Sequence, residues 1–169
     1  VRAGGLVGVY PGSFDPLTVA HLAVADAAVS ALGLARLDLA ISVDALGKGH
    51  LGRSTVDRRV AAIERAGWTR PWLRATAVTA QLVADVAEGY DAVVMGADKW
   101  AQVLDPDWYG GEAGRDAAVA RLPRVAVAPR AGAPRPVLPA AGVLLELDPS
   151  LFEVSASAVR AGRDEWAAR

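Results

Sequence analysis

The stretch Val9-Tyr10-Pro11-Gly12-Ser13-Phe14-Asp15-Pro16-Leu17-Thr18-Val19-Ala20-His21-Leu22 decides the fold. An apolar run over residues 5–10 ends at the turn residues Pro11 and Gly12, as a short buried strand does. An alanine-rich amphipathic pattern follows over residues 18–32 and stops at Gly33, as a helix with a glycine past its end does. Strand, loop and helix start thus succeed one another in a single stretch. Gly12 and Ser13 let the backbone approach a ligand, and a helix start offers free N–H groups and a partial positive charge, which suits phosphate. With Thr18 as N-cap, His21 falls at the third helical position, so both side chains can face the same anion. His21 is then a candidate donor to a phosphoryl oxygen that gains charge during transfer.

Outward from this stretch the alternation repeats. Further strands are predicted at residues 37–43, 73–78, 92–95 and 124–128, with a short last one at 143–147. Ser54-Thr55-Val56-Asp57 resembles a capping box with Asp in place of Glu and should open a helix that ends at Gly67. Other helices are predicted over residues 81–88, from Asp98 to Leu104, and from Ser157 to Gly162. Residues 44–53 read as a glycine-rich loop, 105–115 as a mobile loop rich in Asp, Gly, Pro and Trp, and 129–142 as irregular. Strands alternating with helices imply an α/β, Rossmann-like doubly wound parallel sheet with helices on both faces. Ligands in such sheets bind beyond the carboxyl ends of the strands, where the strand order switches. With no repeat or linker in sight, residues 1–169 are expected to form a single domain.

Composition narrows the function classes. The 169 residues suit one domain, and 53% of them are hydrophobic. Net charge is -1 and the basic residues are not clustered, so no nucleic-acid partner is expected. The chain has no cysteine, which excludes disulfides, thiolate metal sites and cysteine nucleophiles and fits a reducing, cytoplasmic setting. Its two histidines lie far apart and argue against a histidine-rich metal site. The start does not read as a signal peptide, and no apolar stretch is long enough to suggest a membrane span. The sequence is compatible with a homo-oligomer and does not specify one.

Two later stretches carry chemistry. Met95-Gly96-Ala97-Asp98-Lys99-Trp100 ends the fourth predicted strand. Gly96 permits close backbone approach, and Asp98 either holds ribose hydroxyls or caps the next helix. In Val154-Ser155-Ala156-Ser157-Ala158-Val159-Arg160, the Ser155 and Ser157 hydroxyls, a helix start and the forked donors of Arg160 could bind phosphates. The plain alternative is a serine-capped helix. Arg58 and Arg59 open the helix before Gly67, where a solvated face is at least as good a reading, and His50 reads as a solvated loop residue. Trp100 and Trp108 offer flat surfaces on which a ring could stack.

Gly12-Ser13-Phe14-Asp15-Pro16 followed by Thr18-Val19-Ala20-His21 resembles the signature of the nucleotidylyltransferases whose motif is (His/Thr)-x-Gly-His. Phosphopantetheine adenylyltransferases carry the Thr form, and nicotinate or nicotinamide mononucleotide adenylyltransferases usually carry His. Ala20 stands where the family has glycine. The segment from Gly96 to Asp98 resembles the Gly-x-Asp of the mononucleotide adenylyltransferases. The C-terminal stretch resembles Ile-Ser-Ser-Thr-x-Ile-Arg, with Ala156 in place of the middle serine. The resemblance runs from about Gly5 to Gly162.

The resemblance implies that Gly12, Ser13 and Phe14 hold a triphosphate, with Thr18 and His21 at the reacting centre. It places Gly96 and Asp98 at the nucleoside, Ser155, Ser157 and Arg160 at the β- and γ-phosphates, and Lys48 at substrate phosphates. The expected reaction is in-line attack of an acceptor's phosphate oxygen on the α-phosphorus of ATP, with pyrophosphate leaving. Mg²⁺ would arrive with ATP, and no protein metal ligands are expected. The expected partners are ATP and a small phosphorylated acceptor. Gly-Ala-Asp-Lys-Trp points to nicotinate or nicotinamide mononucleotide, held by Lys48, Trp100 and Trp108. The alternatives are a phosphopantetheine adenylyltransferase, a cytidylyltransferase, and a nucleotide-binding module that has lost catalysis, which Ala20 and Ala156 would explain.

Overall fold

Short apolar strands alternate with helices along most of the chain. In the computed structural model, which describes residues 4–45 and 49–168, β1 (Leu6–Gly12) leads into α1 (Val19–Leu32). Gly33 ends α1 at φ 63°, a left-handed conformation that glycine adopts without a Cβ penalty, and its N–H bonds to the Val29 carbonyl. The chain continues through β2 (Leu34–Ser42), a small antiparallel hairpin of β3 (Asp44–Ala45) and β4 (Gly49–His50), α2 (Arg53–Gly67) and β5 (Leu73–Val78). It then runs through α3 (Val83–Val86), β6 (Ala92–Gly96), α4 (Ala97–Leu104) and α5 (Glu112–Ala120). β7 (Arg124–Ala128), β8 (Val143–Leu144) and α6 (Ala156–Arg160) complete it.

The main sheet has the order β5-β2-β1-β6-β7-β8, and every neighbouring pair is parallel. Counted within this sheet alone, that is the doubly wound order in which the direction of winding reverses at the first strand. The switch falls between β1 and β6. Period-two alternation sends side chains to both faces. Leu37, Leu39 and Ile41 of β2 pack with Leu22, Ala25, Ala28 and Leu32 of α1 and Ile63 of α2. Val9, Val93, Met95, Val125 and Val127 turn the other way and pack with Val83 and Val86 of α3 and Trp100 and Val103 of α4. The Rossmann-like α/β architecture read from the sequence is therefore the one observed. Among the described residues, no helix is long and apolar enough to cross a membrane.

Several bounds differ from those predicted, each for a local reason. β1 runs on to Gly12 because Pro11 and Gly12 pair with Ala40 and Ile41. β2 starts directly after Gly33, and the glycine-rich loop folds back on itself as β3 and β4. The capping box at Ser54 is not formed. The N-cap of α2 is Gly52, whose carbonyl already accepts from the Thr55 and Val56 N–H groups, so Ser54 lies inside the first turn. α3 is confined to Val83–Val86 within the predicted 81–88. The 105–115 segment, predicted as a mobile loop, forms a 3₁₀ turn, Pro106–Tyr109, capped by Asp105, and then enters α5. β8 stops at Leu144, and α6 begins at Ala156 with Ser155 as its cap.

Candidate active site

Thr18, almost fully buried, is the N-cap of α1. Its Oγ1 accepts the His21 N–H at 3.2 Å, and its own N–H donates to His21 Nδ1 at 3.0 Å. This is a capping box with histidine where glutamate or glutamine usually stands. An Nδ1 that accepts a hydrogen bond carries no proton, so the neutral ring holds its proton on Nε2. Burial pushes the His21 pKa down to about 4, which keeps the ring neutral at pH 7. The cap thus fixes the tautomer and leaves one N–H donor, as the role foreseen for His21 requires.

Between β1 and α1 the loop turns sharply at Phe14, whose φ is 46°. The Phe14 ring is buried, edge-on to His21 at 5.1 Å between centroids and to Tyr10 at 5.3 Å. A Cβ on residue 12 would lie 2.6 Å from that ring, so Gly12 is the residue that fits beneath it. The Phe14 side chain is thus spent on packing the loop.

Cavities open on both sides of the loop. One, of about 110 Å³, lies at the β1–β6 switch and is lined by Thr18, Ala20, His21, Gly96, Asp98 and Arg130. Gly96 caps α4, and Asp98 lies in its first turn, paired with Arg130 at 3.0 Å. Thr18, His21, Gly96 and Asp98, read from two separate motifs, thus share one cavity, and the Ala20 methyl belongs to its wall. Arg130 was not foreseen. It lies in the stretch read as irregular, yet it follows the carboxyl end of β7 closely, at the edge of the sheet where ligands bind.

The other cavity, of about 470 Å³, takes its polar wall from Gly12, Ser13, Asp15, Arg59, Lys99 and Arg160. Ala40, Leu51, Val78, Val83 and Val86 supply an aliphatic wall. Arg160 donates to the Asp15 carbonyl and, at 3.0 Å, to Ser157 Oγ. Ser155 Oγ accepts the Ala158 N–H at 3.1 Å as the cap of α6. Of the three residues proposed for phosphate in this motif, Arg160 alone lines the cavity. Arg59 is the residue the sequence reading undervalued. It is buried, donating to the Ser13 carbonyl at 2.9 Å and pairing with the Asp15 carboxylate at 2.9 Å. Its signal was the helical spacing Val56, Arg59, Ile63, Ala66, which puts it on the inward stripe of α2.

The family described as cytidylyltransferase-like matches residues 9–162. The chain belongs to the cytidylyltransferase-like family. That places it in the nucleotidyltransferase superfamily and supports nucleotidyl transfer as its class of activity. The match runs from within β1 past the end of α6, so it takes in both cavities and all three motifs. No curated protein is similar enough to the chain to match it.

Other residues of this cytidylyltransferase-like protein settle into less direct positions. Trp100 is only 3% exposed, and its indole N–H donates to the Val137 carbonyl at 2.9 Å. It is a core residue with no face turned to a ligand, which corrects the acceptor-stacking role assigned to it. Trp108 is 39% exposed and lines a small recess with Gln81, Val83 and Lys99, residues that also line the larger cavity. It sits at that cavity's rim. His50 is exposed and pairs through Nδ1 with Asp44 at 2.6 Å, tying β4 to β3. Lys48 lies outside the described residues. Among those residues, no three or more acids and histidines gather to hold a metal, and the acids at the two cavities, Asp15 and Asp98, are paired with arginines.

Proposed function

We propose that this protein transfers AMP from ATP to a small phosphorylated acceptor and releases pyrophosphate. The observation that carries the reading is the reciprocal Thr18–His21 cap, which leaves a neutral Nε2–H donor in a cavity shared with Asp98 at the strand-order switch. In the transfer, an oxygen of the acceptor's phosphate forms a bond to the α-phosphorus, and the bond from that phosphorus to the pyrophosphate oxygen breaks, the electron pair leaving with pyrophosphate. The attacking oxygen is already anionic, so no side chain has to remove a proton. His21 donates to a phosphoryl oxygen as its charge grows, and Arg160 adds positive charge beside the loop. Positioning and charge stabilisation supply the catalysis. Mg²⁺ would enter with ATP, held by its phosphates and by water, and offset charge on the leaving pyrophosphate. A cytoplasmic setting goes with these substrates.

For the acceptor the first reading is nicotinate or nicotinamide mononucleotide, with Trp108 at the rim as the surface for the ring. A specific observation favours a second reading. The larger cavity is aliphatic on one side, and no aromatic side chain lines it among the described residues. Ser42 and Gln81 add polar groups to that wall. An aliphatic wall with spaced polar groups suits the amide-bearing arm of phosphopantetheine.

The test is direct. Purified protein with Mg²⁺ and either ATP or CTP is incubated with each mononucleotide and with phosphopantetheine, and pyrophosphate and products are measured. A dinucleotide from ATP supports the first reading, and dephospho-coenzyme A the second. Turnover with CTP alone makes the donor reading wrong while leaving the family's chemistry intact. Nucleotide binding without pyrophosphate from any pair would mark a module that has lost catalysis.

A further inference from the structure

We propose that Arg59 is a positioning residue for the transfer reaction: from α2 it fixes the β1–α1 loop on both sides of Phe14 and does not itself carry the acceptor. The proposal rests on the nucleotidyl-transfer reading above.

Phe14 adopts a positive φ, which a bulky side chain holds only where its surroundings impose it. The residues that flank it, Ser13 and Asp15, are the two that Arg59 binds. One terminal nitrogen of the guanidinium donates to the Ser13 carbonyl and the other meets the Asp15 carboxylate, each at 2.9 Å. A single planar group, arriving from a helix 46 residues further along the chain, therefore brackets the strained residue. The Phe14 ring packs edge-on against His21, so the loop's conformation is passed to the donor at the reacting centre.

The arrangement is costly as architecture. Arg59 is 8% exposed, and its Nε is buried without a hydrogen-bond partner. A buried charge of this kind is weak evidence for stability, because an apolar side chain of similar length often serves the fold as well or better. The expense is intelligible if the guanidinium's task is to hold the loop. Each terminal nitrogen makes a contact with the loop, so the group that lines the larger cavity is anchored in its wall. Asp15 is only half-buried, with Arg58 3.8 Å from its carboxylate, so it stays solvated when Arg59 is replaced.

The experiment compares wild type with Arg59→Met and Arg59→Lys in the full chain. Thermal melts establish folding, amide hydrogen exchange reports on residues 12–15 with and without MgATP, and turnover is resolved into kcat and acceptor KM. Arg59→Met is expected to melt close to wild type and to exchange about tenfold faster across the loop. Its kcat should fall about 10²-fold, the cost of a small misplacement of catalytic groups, with little change in acceptor KM. Arg59→Lys, which can satisfy one anchor but not the planar pair, should fall between the two. Loop exchange that does not change in Arg59→Met overturns the proposal whether or not turnover is seen. A rise in acceptor KM at unchanged kcat also overturns it and makes Arg59 a binding residue. Faster loop exchange in a protein that turns over no acceptor supports the anchoring and counts against the transfer reading alone.

Discussion

At His21 a single ring nitrogen does two jobs: accepting the Thr18 N–H completes the cap of α1, and that same bond decides that the proton sits on Nε2. Removing the ring removes the donor. His21→Ala is expected to lower the rate of the chemical step about 10²–10³-fold while ATP binding changes far less, because the bond strengthens as charge develops. Single-turnover rates beside equilibrium ATP titrations would show this, and equal rates in mutant and wild type would remove His21 from the mechanism. The ring also makes stability depend on pH. Its pKa is near 6.5 in the unfolded chain and about 4 in the fold, so between those values the unfolded chain binds a proton that the folded one refuses. Stability from this source is complete above about pH 6.5 and drains away as the pH falls toward 4. His21→Gln keeps a capping side chain but does not titrate. Denaturant midpoints should therefore drop less between pH 7 and 4.5 in His21→Gln than in wild type.

α6 has five residues, and it matters because Arg160 spans from its own Ser157 to the Asp15 carbonyl on the first loop. A lysine there has the charge but not the fork. Arg160→Lys is expected to raise the apparent ATP constant about tenfold with the melting temperature nearly unchanged. Titrations that match wild type would show that the fork is not needed. Elements of this size mark the limit of what the sequence discloses. β5 and β7 were legible to the residue because Leu73, Ala75 and Ala77 alternate with Arg74 and Thr76 in the one, and the other is a short apolar run between Pro123 and Pro129. α5 was hidden by Gly110 and Gly111, both at positive φ, which read as loop although a helix begins at the next residue. The start of α2 was misplaced because its cap is a glycine backbone and a side-chain signal lay just inside it. The motifs around His21, Asp98 and Arg160 showed themselves as letters with known uses, whereas Arg59 showed only as spacing and Arg130 not at all. Trp100 misled because an aromatic side chain looks the same on paper whether its ring faces a ligand or the core.

For the molecule as a whole, the sheet order gathers distant segments at one edge, and the last described residues take part. The Ala168 N–H donates to the Leu17 carbonyl at 2.9 Å, and Ala167 forms a bridge with Thr18, so the tail crosses the chain where it enters α1. Deleting residues 163–169 is expected to cost about 1 kcal/mol, roughly 2–4 °C in melting temperature for a chain of this size. The loss of kcat should be larger than that change in stability accounts for, because the peptide released is the one next to the Thr18 cap. A truncated protein with wild-type kcat would show that the tail only covers the loop.

That crossing also governs when the site can exist. Asp15 and Arg160 meet across 145 positions of sequence. A ribosome delivers the first of them long before the second, and the early strands can pair while the rest is still being made. A nascent chain can therefore display the β1–α1 loop and still lack Arg160 and the segment around Ala167 that pack against it. The contacts that close this edge of the sheet form only once residue 168 has been made, so a product released earlier lacks them however well its sheet has formed.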